Sequence, residues 1–284
     1  MATEVVHSED LKIEAADGFA LAATLHRSPA ECGTCVVVNS ATAAPRQFYQ
    51  HYAAALAERG FATVTYDYRG IGGSRPKSLR GFHASMGDWV FSDMTGVLDW
   101  VRLQGHDKLL IIGHSFGGQT PGLLKEKTQI SGMLALSAQS GHWRVQGGSQ
   151  RLPVLFHTHV TLRVLPEFFG YMPWSRFGSA EDLPKGVAVE WARWCRNRHY
   201  LLDDPELPVE RYAEFTAPVR AYSIADDDWG SAPSVDEMMS AYPNVERQHI
   251  EPRQHGLDRM GHFGYFRPKS AALWQRDIAW LASL

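Results

Sequence analysis

The sequence predicts an α/β fold in which a mostly parallel sheet is covered by helices on both faces. Two observations predict it. Short unbroken apolar runs such as 35–39 and 109–113 are typical of parallel strands buried on both sides. These runs alternate with segments of helical periodicity, for example 88–103, where Val90, Met94 and Val97 recur at helical spacing. A β-α-β-α-β order of this kind favours a doubly covered parallel sheet.

The first predicted strands differ from the later ones. Residues 11–14 and 19–25 flank Asp17-Gly18, a hairpin signal, and predict antiparallel strands at one edge of the sheet. The remaining strands are predicted at 35–39, 61–66, 109–113, 133–137, 219–224 and 245–250. Helices are predicted at 48–59, 88–103, 117–125 and 270–284.

The alternation of predicted strands and helices is interrupted in the middle of the chain. Residues 141–208 are rich in aromatics and prolines, and the next apolar strand starts only at Val219. A chain of 284 residues suits one large domain. We therefore predict a core made of residues 1–140 and 209–284, with residues 141–208 as an insertion into it.

Composition narrows the range of functions. The net charge is −3, so there is no basic excess for nucleic acid or an anionic membrane surface. No apolar run reaches the roughly 18 residues of a membrane-spanning helix, and the polar start MATEVVHSEDLK lacks the pattern of a secretion signal. We expect a cytoplasmic protein that binds a small molecule, with a homo-oligomer left open.

The cysteines and one histidine pair give no metal or redox site. Cys32 and Cys35 have redox spacing, but they lead into an apolar strand where a redox pair would open a helix. A structural zinc would need two further ligands. His157 and His159, if extended, would share one side of a strand without a third ligand. We expect no metal and no cofactor.

The strongest local motif lies between a predicted strand and a predicted helix. Gly113-His-Ser-Phe-Gly117 matches G-x-S-x-G. A serine on so sharp a turn exposes its hydroxyl, and glycines at positions 113 and 117 avoid collisions with neighbouring backbone. The helix that follows directs free N–H groups at the site, where they stabilise an oxyanion. Ser115 is therefore the candidate nucleophile, and the N–H of Phe116 is a candidate oxyanion donor.

Three segments together resemble one family. Residues 113–118 look like the nucleophile elbow of the α/β-hydrolases, and residues 67–74 resemble the D-x-R-G-x-G-x-S turn after the fourth strand of many such enzymes. Residues 261–264, Gly-His-Phe-Gly, fit the end of the fold. The chain thus resembles the α/β-hydrolase superfamily, near the serine aminopeptidase-like hydrolases. The resemblance implies a serine hydrolase in which residues 141–208 form a helical lid.

The family order, serine then acid then histidine, points to the partners of Ser115. A hydroxyl needs a general base, and the base needs an orienting carboxylate. The acid should follow the strand at 219–224, where three aspartates are adjacent. The family's P-strand-G-x-x-D pattern, applied to the distance from Pro218, favours Asp227, and Asp226 and Asp228 remain alternatives.

The base should follow the last strand, and His262 does so between two glycines. His255 lies in the same loop and His249 on the strand itself, so both are rivals. His114, next to the nucleophile, is interpreted as a packing residue because adjacent side chains diverge on a sharp turn.

The second oxyanion donor should come from the loop after the third strand. Many relatives have His-Gly there, and this chain has Asn39-Ser40. The N–H of Ala41 is the expected donor by position.

These residues predict a carboxylic ester hydrolase that forms an acyl-enzyme on a small, apolar substrate. The aromatic insertion indicates an apolar cleft. The same residues could cleave an amide, thioester, lactone or C–C bond, or transfer the acyl group to an acceptor. A binding protein that lost the chemistry is less favoured, because the serine, acid and histidine are all present.

Overall fold

The computed structural model describes residues 6–146, 150–178 and 180–284. Within these ranges eight strands form one sheet and two short strands pair separately. In chain order the strands are β1 His7–Glu14, β2 Ala20–Arg27, β3 Thr34–Asn39, β4 Ala62–Tyr66, β5 Lys108–His114, β6 Ile130–Leu136, β7 Tyr171–Met172, β8 Leu183–Pro184, β9 Val219–Ile224 and β10 Val245–Ile250.

The main sheet has the order β1-β2-β4-β3-β5-β6-β9-β10. The hairpin β1–β2 is antiparallel and pairs antiparallel with β4. Every other neighbouring pair is parallel. The sheet is therefore mostly parallel with an antiparallel edge, as the sequence predicts. The turn at Asp17-Gly18 closes the hairpin, with Gly18 at a φ of 85°.

The helices of the described residues occupy the segments between and after the strands. They are α1 Gln50–Ala57, α2 Met86–Asp88, α3 Thr95–Leu103, α4 Phe116–Gln119, α5 Arg151–Phe156, α6 Leu162–Phe169, α7 Lys185–Arg196, α8 Ala232–Met239 and α9 Ala271–Ala282. A π-helical segment, Trp89–Met94, joins α2 to α3, and another, His157–Thr161, joins α5 to α6.

Both faces of the sheet are buried under helices, and β3 shows how the sequence achieves this. Val36 and Val38 point to the core beneath α1 and α9. Cys35 and Val37 alternate with them and point to the opposite core, beneath α3 and α8. An unbroken apolar strand is needed because each side chain meets a helix on one face or the other. The predicted fold class is confirmed.

Two local predictions are wrong. The helix expected over 117–125 ends as α4 at Gln119, because Pro121 lacks an N–H and starts a separate 3-10 turn, Pro121–Leu123. His157 and His159 lie on a helical segment rather than on a strand, so their side chains do not share one strand face. The segment that contains both histidines is helical together with its neighbours α5 and α6.

Residues 141–208, here named the cap segment, contain α5, α6, α7 and the β7–β8 pair. Polar contacts attach this segment to the core. The N–H of Glu181 donates to the carbonyl of Ala43 at 3.0 Å. The Glu190 carboxylate accepts from the N–H groups of Met86 and Gly87 at the start of α2. These contacts hold the cap segment over the carboxyl ends of the strands.

Across the described ranges, no helix is long and apolar enough to cross a membrane. The same residues contain no group of three or more His, Cys, Asp or Glu side chains placed to hold a metal ion. Cys32 is exposed and Cys35 is buried in β3, and both are free thiols.

Candidate active site

Ser115 occupies the sharp turn between β5 and α4, with φ 51° and ψ −119°. A side chain on either flanking glycine would collide with backbone. A Cβ on Gly113 would lie 2.4 Å from Gly118 Cα, and a Cβ on Gly117 would lie 2.2 Å from Asn39 O. The strand–turn–helix context that the sequence predicts for this motif is present, and only glycine fits on either side of the serine.

Ser115 is one of three residues with a strained backbone that follow neighbouring strands of the sheet. Ala43 and Ser137 also have positive φ values, 62° and 49°, and among the described non-glycine residues only Tyr200 shares this property. The three follow β3, β5 and β6, which are neighbours in the sheet. Strain of this kind in residues with side chains gathers at functional sites, where surrounding contacts maintain it.

Asp227 and His262 form a directly bonded pair. Asp227 Oδ2 lies 2.8 Å from His262 Nδ1, and Asp227 Oδ1 accepts from the N–H groups of Trp229 and Gly230. Burial alone would raise the pKa of the Asp227 carboxyl, but the charge of His262 and these hydrogen bonds outweigh it and lower the pKa to about 2. The carboxylate is therefore ionised and fixes the orientation of the imidazole.

The alternative aspartates have other partners. Asp226 accepts from the N–H groups of Met260 and Gly261, each at 2.9 Å, and so shapes the loop that carries His262. Asp228 is exposed and contacts Arg259. Asp227 alone of the three meets the imidazole of His262.

The alternative histidines also lie elsewhere. His249 Nδ1 contacts the Ser223 hydroxyl at 2.8 Å. His255 is exposed in a 3-10 turn after β10. Neither lines the cavity that contains Ser115, whereas His262 does.

The structure brings Ser115 and His262 into one cavity without a hydrogen bond between them. The Ser115 hydroxyl instead donates to Oε1 of Gln139 at 3.3 Å. Ser115 is only 7% exposed, so its hydroxyl has few alternatives to these neighbours. In this structure the hydroxyl of Ser115 is therefore directed to Gln139 and not to His262.

The cavity over Ser115 has a volume of about 160 Å³. Its walls come from both the core and the cap segment. The tryptophans Trp174 and Trp191 of the cap segment and Trp229 of the core supply much of the apolar surface. Apart from Ser115 and His262, the polar side chains in the walls are Thr42 and Gln139. An apolar cavity with a few polar groups is the usual form of a small-molecule site.

The expected oxyanion donors differ in availability. The N–H of Phe116 is at the first position of α4 and has no partner within that helix. The N–H of Ala41 is not free, because it donates to Tyr49 Oη at 2.9 Å. The donor that its position predicts is thus engaged by Tyr49 in this structure. The sequence could not indicate it, since Tyr49 reaches the loop only in the folded chain.

Ala41 to Ala44 form a tight turn, with the N–H of Ala44 bonded to Ala41 O at 3.2 Å. Only its third residue, Ala43, has a positive φ, which defines a type II turn. Thr42 is the second residue, lines the cavity, and its N–H has no partner among the described residues.

His114 is more than a packing residue. Its Nε2 faces the carbonyl of His262 at 2.9 Å, so Nε2 carries the proton and donates. Its Nδ1 is then the acceptor for the Tyr49 hydroxyl at 2.8 Å. Burial, with the neighbouring His262, lowers the pKa of His114 well below its usual value. A neutral His114 thus connects the loop at Ala41, through Tyr49, to the backbone of His262.

The Asp67–Ser74 motif holds the core together and does not reach the cavity. Asp67 follows β4 and accepts from Arg46 Nη1 at 2.6 Å and from the N–H of Gly73 at 2.8 Å. The guanidinium of Arg69 binds Asp93 and Asp17. The motif stabilises the turn after β4 through buried, charge-assisted hydrogen bonds.

This combination of sheet order, strained elbow and paired carboxylate and imidazole is that of the α/β hydrolases. The model of the alpha/beta hydrolase family matches residues 35–272, and the chain belongs to that family. The narrower resemblance to serine aminopeptidase-like hydrolases stays a prediction. A comparison with curated proteins finds no match to this sequence.

Several solved esterase structures share the fold. Est1E from Butyrivibrio proteoclasticus, solved with ferulic acid bound, has a TM-score of 0.64 at 17% identity over 96% of this chain and 98% of that one. The esterase EaEST from Exiguobacterium antarcticum has a TM-score of 0.65 at 15% identity, over 96% and 100%. The Pyrococcus furiosus esterase Pf2001 has a TM-score of 0.59 at 16% identity, over 98% and 92%. At these identities the likeness concerns the fold.

Proposed function

We propose that this protein is a serine hydrolase that cleaves carboxylic esters of small, apolar acids through an acyl-enzyme. The observation that carries the proposal is the arrangement around Ser115. A strained serine at a glycine-flanked elbow shares one cavity with His262, whose Nδ1 is bonded to Asp227. Maintaining such strain costs stability, and a nucleophile is the group that benefits from it.

In the proposed mechanism His262 is the general base. Asp227 accepts a hydrogen bond from the Nδ1–H of His262 and so leaves Nε2 unprotonated, ready to take the proton of Ser115. The serine oxygen attacks the ester carbonyl, and a tetrahedral intermediate forms. His262 then donates its proton to the leaving alcohol, and water releases the acyl group by the same steps.

The developing oxyanion needs two donors. The N–H of Phe116 is the first, supported by its position at the start of α4. For the second we favour the N–H of Thr42 over that of Ala41, because Ala41 already donates to Tyr49. Both lie on the same turn after β3, so the predicted loop is retained and the donor moves by one residue.

The cavity supports a small, apolar acyl group. Its tryptophans provide flat apolar walls, and a volume of about 160 Å³ leaves room for a short chain. We propose that the cap segment, residues 141–208, acts as the lid, since Trp174 and Trp191 belong to it. The esterase neighbours are consistent with this reaction class.

The test uses p-nitrophenyl esters of increasing acyl length and a fluorophosphonate probe. We expect hydrolysis with a preference for short acyl chains, and labelling of Ser115 by the probe. Ser115→Ala should abolish labelling and lower kcat by about 10⁴-fold or more, and His262→Ala should do likewise. The exposed Asp228 provides a control, since Asp228→Asn should retain the wild-type rate. Full turnover by Ser115→Ala, or loss of activity in His255→Ala with His262→Ala still active, would contradict the mechanism.

A further inference from the structure

Gln139 is the side chain that forms a hydrogen bond with the candidate nucleophile, and no sequence motif points to it. It follows β6 by three residues, is 5% exposed, and lines the cavity. Its Oε1 accepts the Ser115 hydroxyl at 3.3 Å. The amide therefore lies within one hydrogen-bond length of the atom that attacks the substrate.

The backbone around Gln139 is fixed. Gln119 Nε2 donates to the carbonyl of Gln139 at 2.7 Å, and Gln119 Oε1 accepts from Tyr200 of the cap segment. On the other side, the N–H of Ser140 donates to the carbonyl of Ser234 in α8 at 2.8 Å. A side chain on so fixed a backbone loses less freedom when it binds a substrate atom.

The side-chain amide of Gln139 can form more hydrogen bonds than the structure shows for it. A carboxamide offers two donors on Nε2 and two acceptor positions on Oε1. Ser115 uses one acceptor position, and Nε2 of Gln139 donates to no protein acceptor within the described ranges. A nearly buried donor in an apolar cavity gains most when a bound molecule supplies the acceptor.

The sheet order determines which part of a substrate meets Gln139. β3 and β6 lie on opposite sides of β5, so the turn at Thr42 and the residue Gln139 flank Ser115. In the proposed mechanism the carbonyl oxygen of the ester points to Phe116 and the Thr42 turn. The leaving oxygen must reach His262, whose neighbour Phe263 packs on the side of α1 and α9. The remaining substituent is the acyl chain. It must lie on the side of α8, which is also the side of Gln139.

We propose that Gln139 recognises the acyl group, with its Nε2 donating a hydrogen bond to an oxygen on C2, so that the enzyme prefers esters of 2-hydroxy and 2-oxo acids. This inference rests on the proposed esterase function. The C2 substituent is one bond beyond the carbon next to the reacting carbonyl, within reach of an amide placed 3.3 Å from Ser115 Oγ. The apolar remainder of a short acyl chain faces the tryptophans.

The experiment compares ethyl propionate, ethyl lactate and ethyl pyruvate, with acid release followed in a pH-stat. For the wild-type enzyme we expect kcat/KM ratios of lactate and of pyruvate to propionate that exceed the corresponding ratios for hydroxide-catalysed hydrolysis. That comparison needs no variant and removes the intrinsic reactivity of the oxygenated esters.

Gln139→Leu and Gln139→Met remove the donor at similar side-chain size. Both should reduce the lactate-to-propionate and pyruvate-to-propionate ratios about tenfold, the effect of one hydrogen bond in a dry site. Turnover of propionate serves as the internal measure that the variant is folded and active. Ratios that match hydroxide in the wild-type enzyme, or that stay unchanged in both variants, would overturn the inference alone. Absence of any hydrolysis, together with an unlabelled Ser115, would overturn the proposed function as well.

Discussion

The Tyr49 hydroxyl donates to His114 Nδ1 at 2.8 Å and, through the same oxygen, accepts the N–H of Ala41. One buried hydroxyl therefore connects the turn after β3 to the residue before the nucleophile. His114 extends the connection to the carbonyl of His262. The loops that carry the proposed oxyanion donor and the proposed base are held in register by this chain of hydrogen bonds.

Tyr49→Phe should lower the free energy of unfolding by about 1 to 3 kcal/mol, because it leaves a buried ring nitrogen and a backbone N–H without partners. Urea unfolding measures the change. Tyr52→Phe is the matched control, since the buried Tyr52 hydroxyl has no hydrogen-bond partner among the described residues and its removal should cost nothing. Equal losses in the two variants would show that the connection at Tyr49 contributes no stability.

Thr42→Pro should lower kcat about 100-fold or more while leaving the fold intact. Proline removes the N–H proposed to bind the oxyanion, and the second position of a type II turn favours proline. Thr42→Val removes only the hydroxyl and keeps the N–H, so its kcat should remain within a few-fold of wild type. Steady-state kinetics on a p-nitrophenyl ester decide the matter, and an active Thr42→Pro variant would exclude this N–H as a donor.

Asp227 should make stability depend on pH in acid. Its folded pKa is about 2 against a reference of 3.8, so the ionised carboxylate contributes stability above pH 4 that is lost as the pH falls towards 2. The shift corresponds to about 2 kcal/mol. Asp227→Asn should lack this dependence, so the difference in unfolding free energy between wild type and variant should shrink over that window. A constant difference from pH 6 to pH 2.5 would contradict it.

Asp227→Asn should also lower kcat, by about 10⁴-fold, because an amide holds the imidazole in the wrong tautomer. Asp228→Asn, at an exposed neighbour that contacts Arg259, should be as active as wild type. Initial rates on one activated ester at pH 7.5 are sufficient. A reversed order of the two variants would move the acid to residue 228.

Ala43→Gly should raise the melting temperature. Ala43 holds a φ of 62°, which costs a residue with a Cβ roughly 1 kcal/mol relative to glycine. The reverse experiment is Gly105→Ala, at a φ of 77° where an added Cβ meets no atom within 4 Å. That variant should lose a similar amount, and calorimetry compares the two. A Gly105→Ala variant as stable as wild type would remove backbone conformation as the cause.

Much of the fold follows from local pattern. The strands β9 and β10 have the bounds that the sequence predicts, and a proline precedes each of them, Pro218 and Pro243. The elbow at Ser115 is equally visible as a local motif, and the steric demand on Gly113 comes from Gly118, five residues away. Features decided by contacts near in sequence are the ones that sequence patterns reveal.

The rest depends on pairings between distant residues. Nothing in the sequence separates Asp227 from its two neighbours as firmly as its 2.8 Å contact with His262 does. Gln139 and Tyr49 belong to no sequence motif. Their contacts, with Ser115 and with Ala41 and His114, form only where separate loops meet. The π-helical segment at His157 was likewise invisible, because helical neighbours on both sides override the residue spacing. Long-range contact, rather than propensity, decides each of these positions.

The backbone strain at Ala43, Ser115 and Ser137 has an evolutionary consequence. Glycine would relieve the strain at all three, but only at positions 43 and 137 does that change keep the hydroxyl of the proposed nucleophile. Laboratory selection for heat resistance should therefore collect glycines at those two positions first and leave residue 115 untouched. The positions where this molecule can gain stability most easily therefore lie beside the proposed nucleophile, where the same exchange would remove activity.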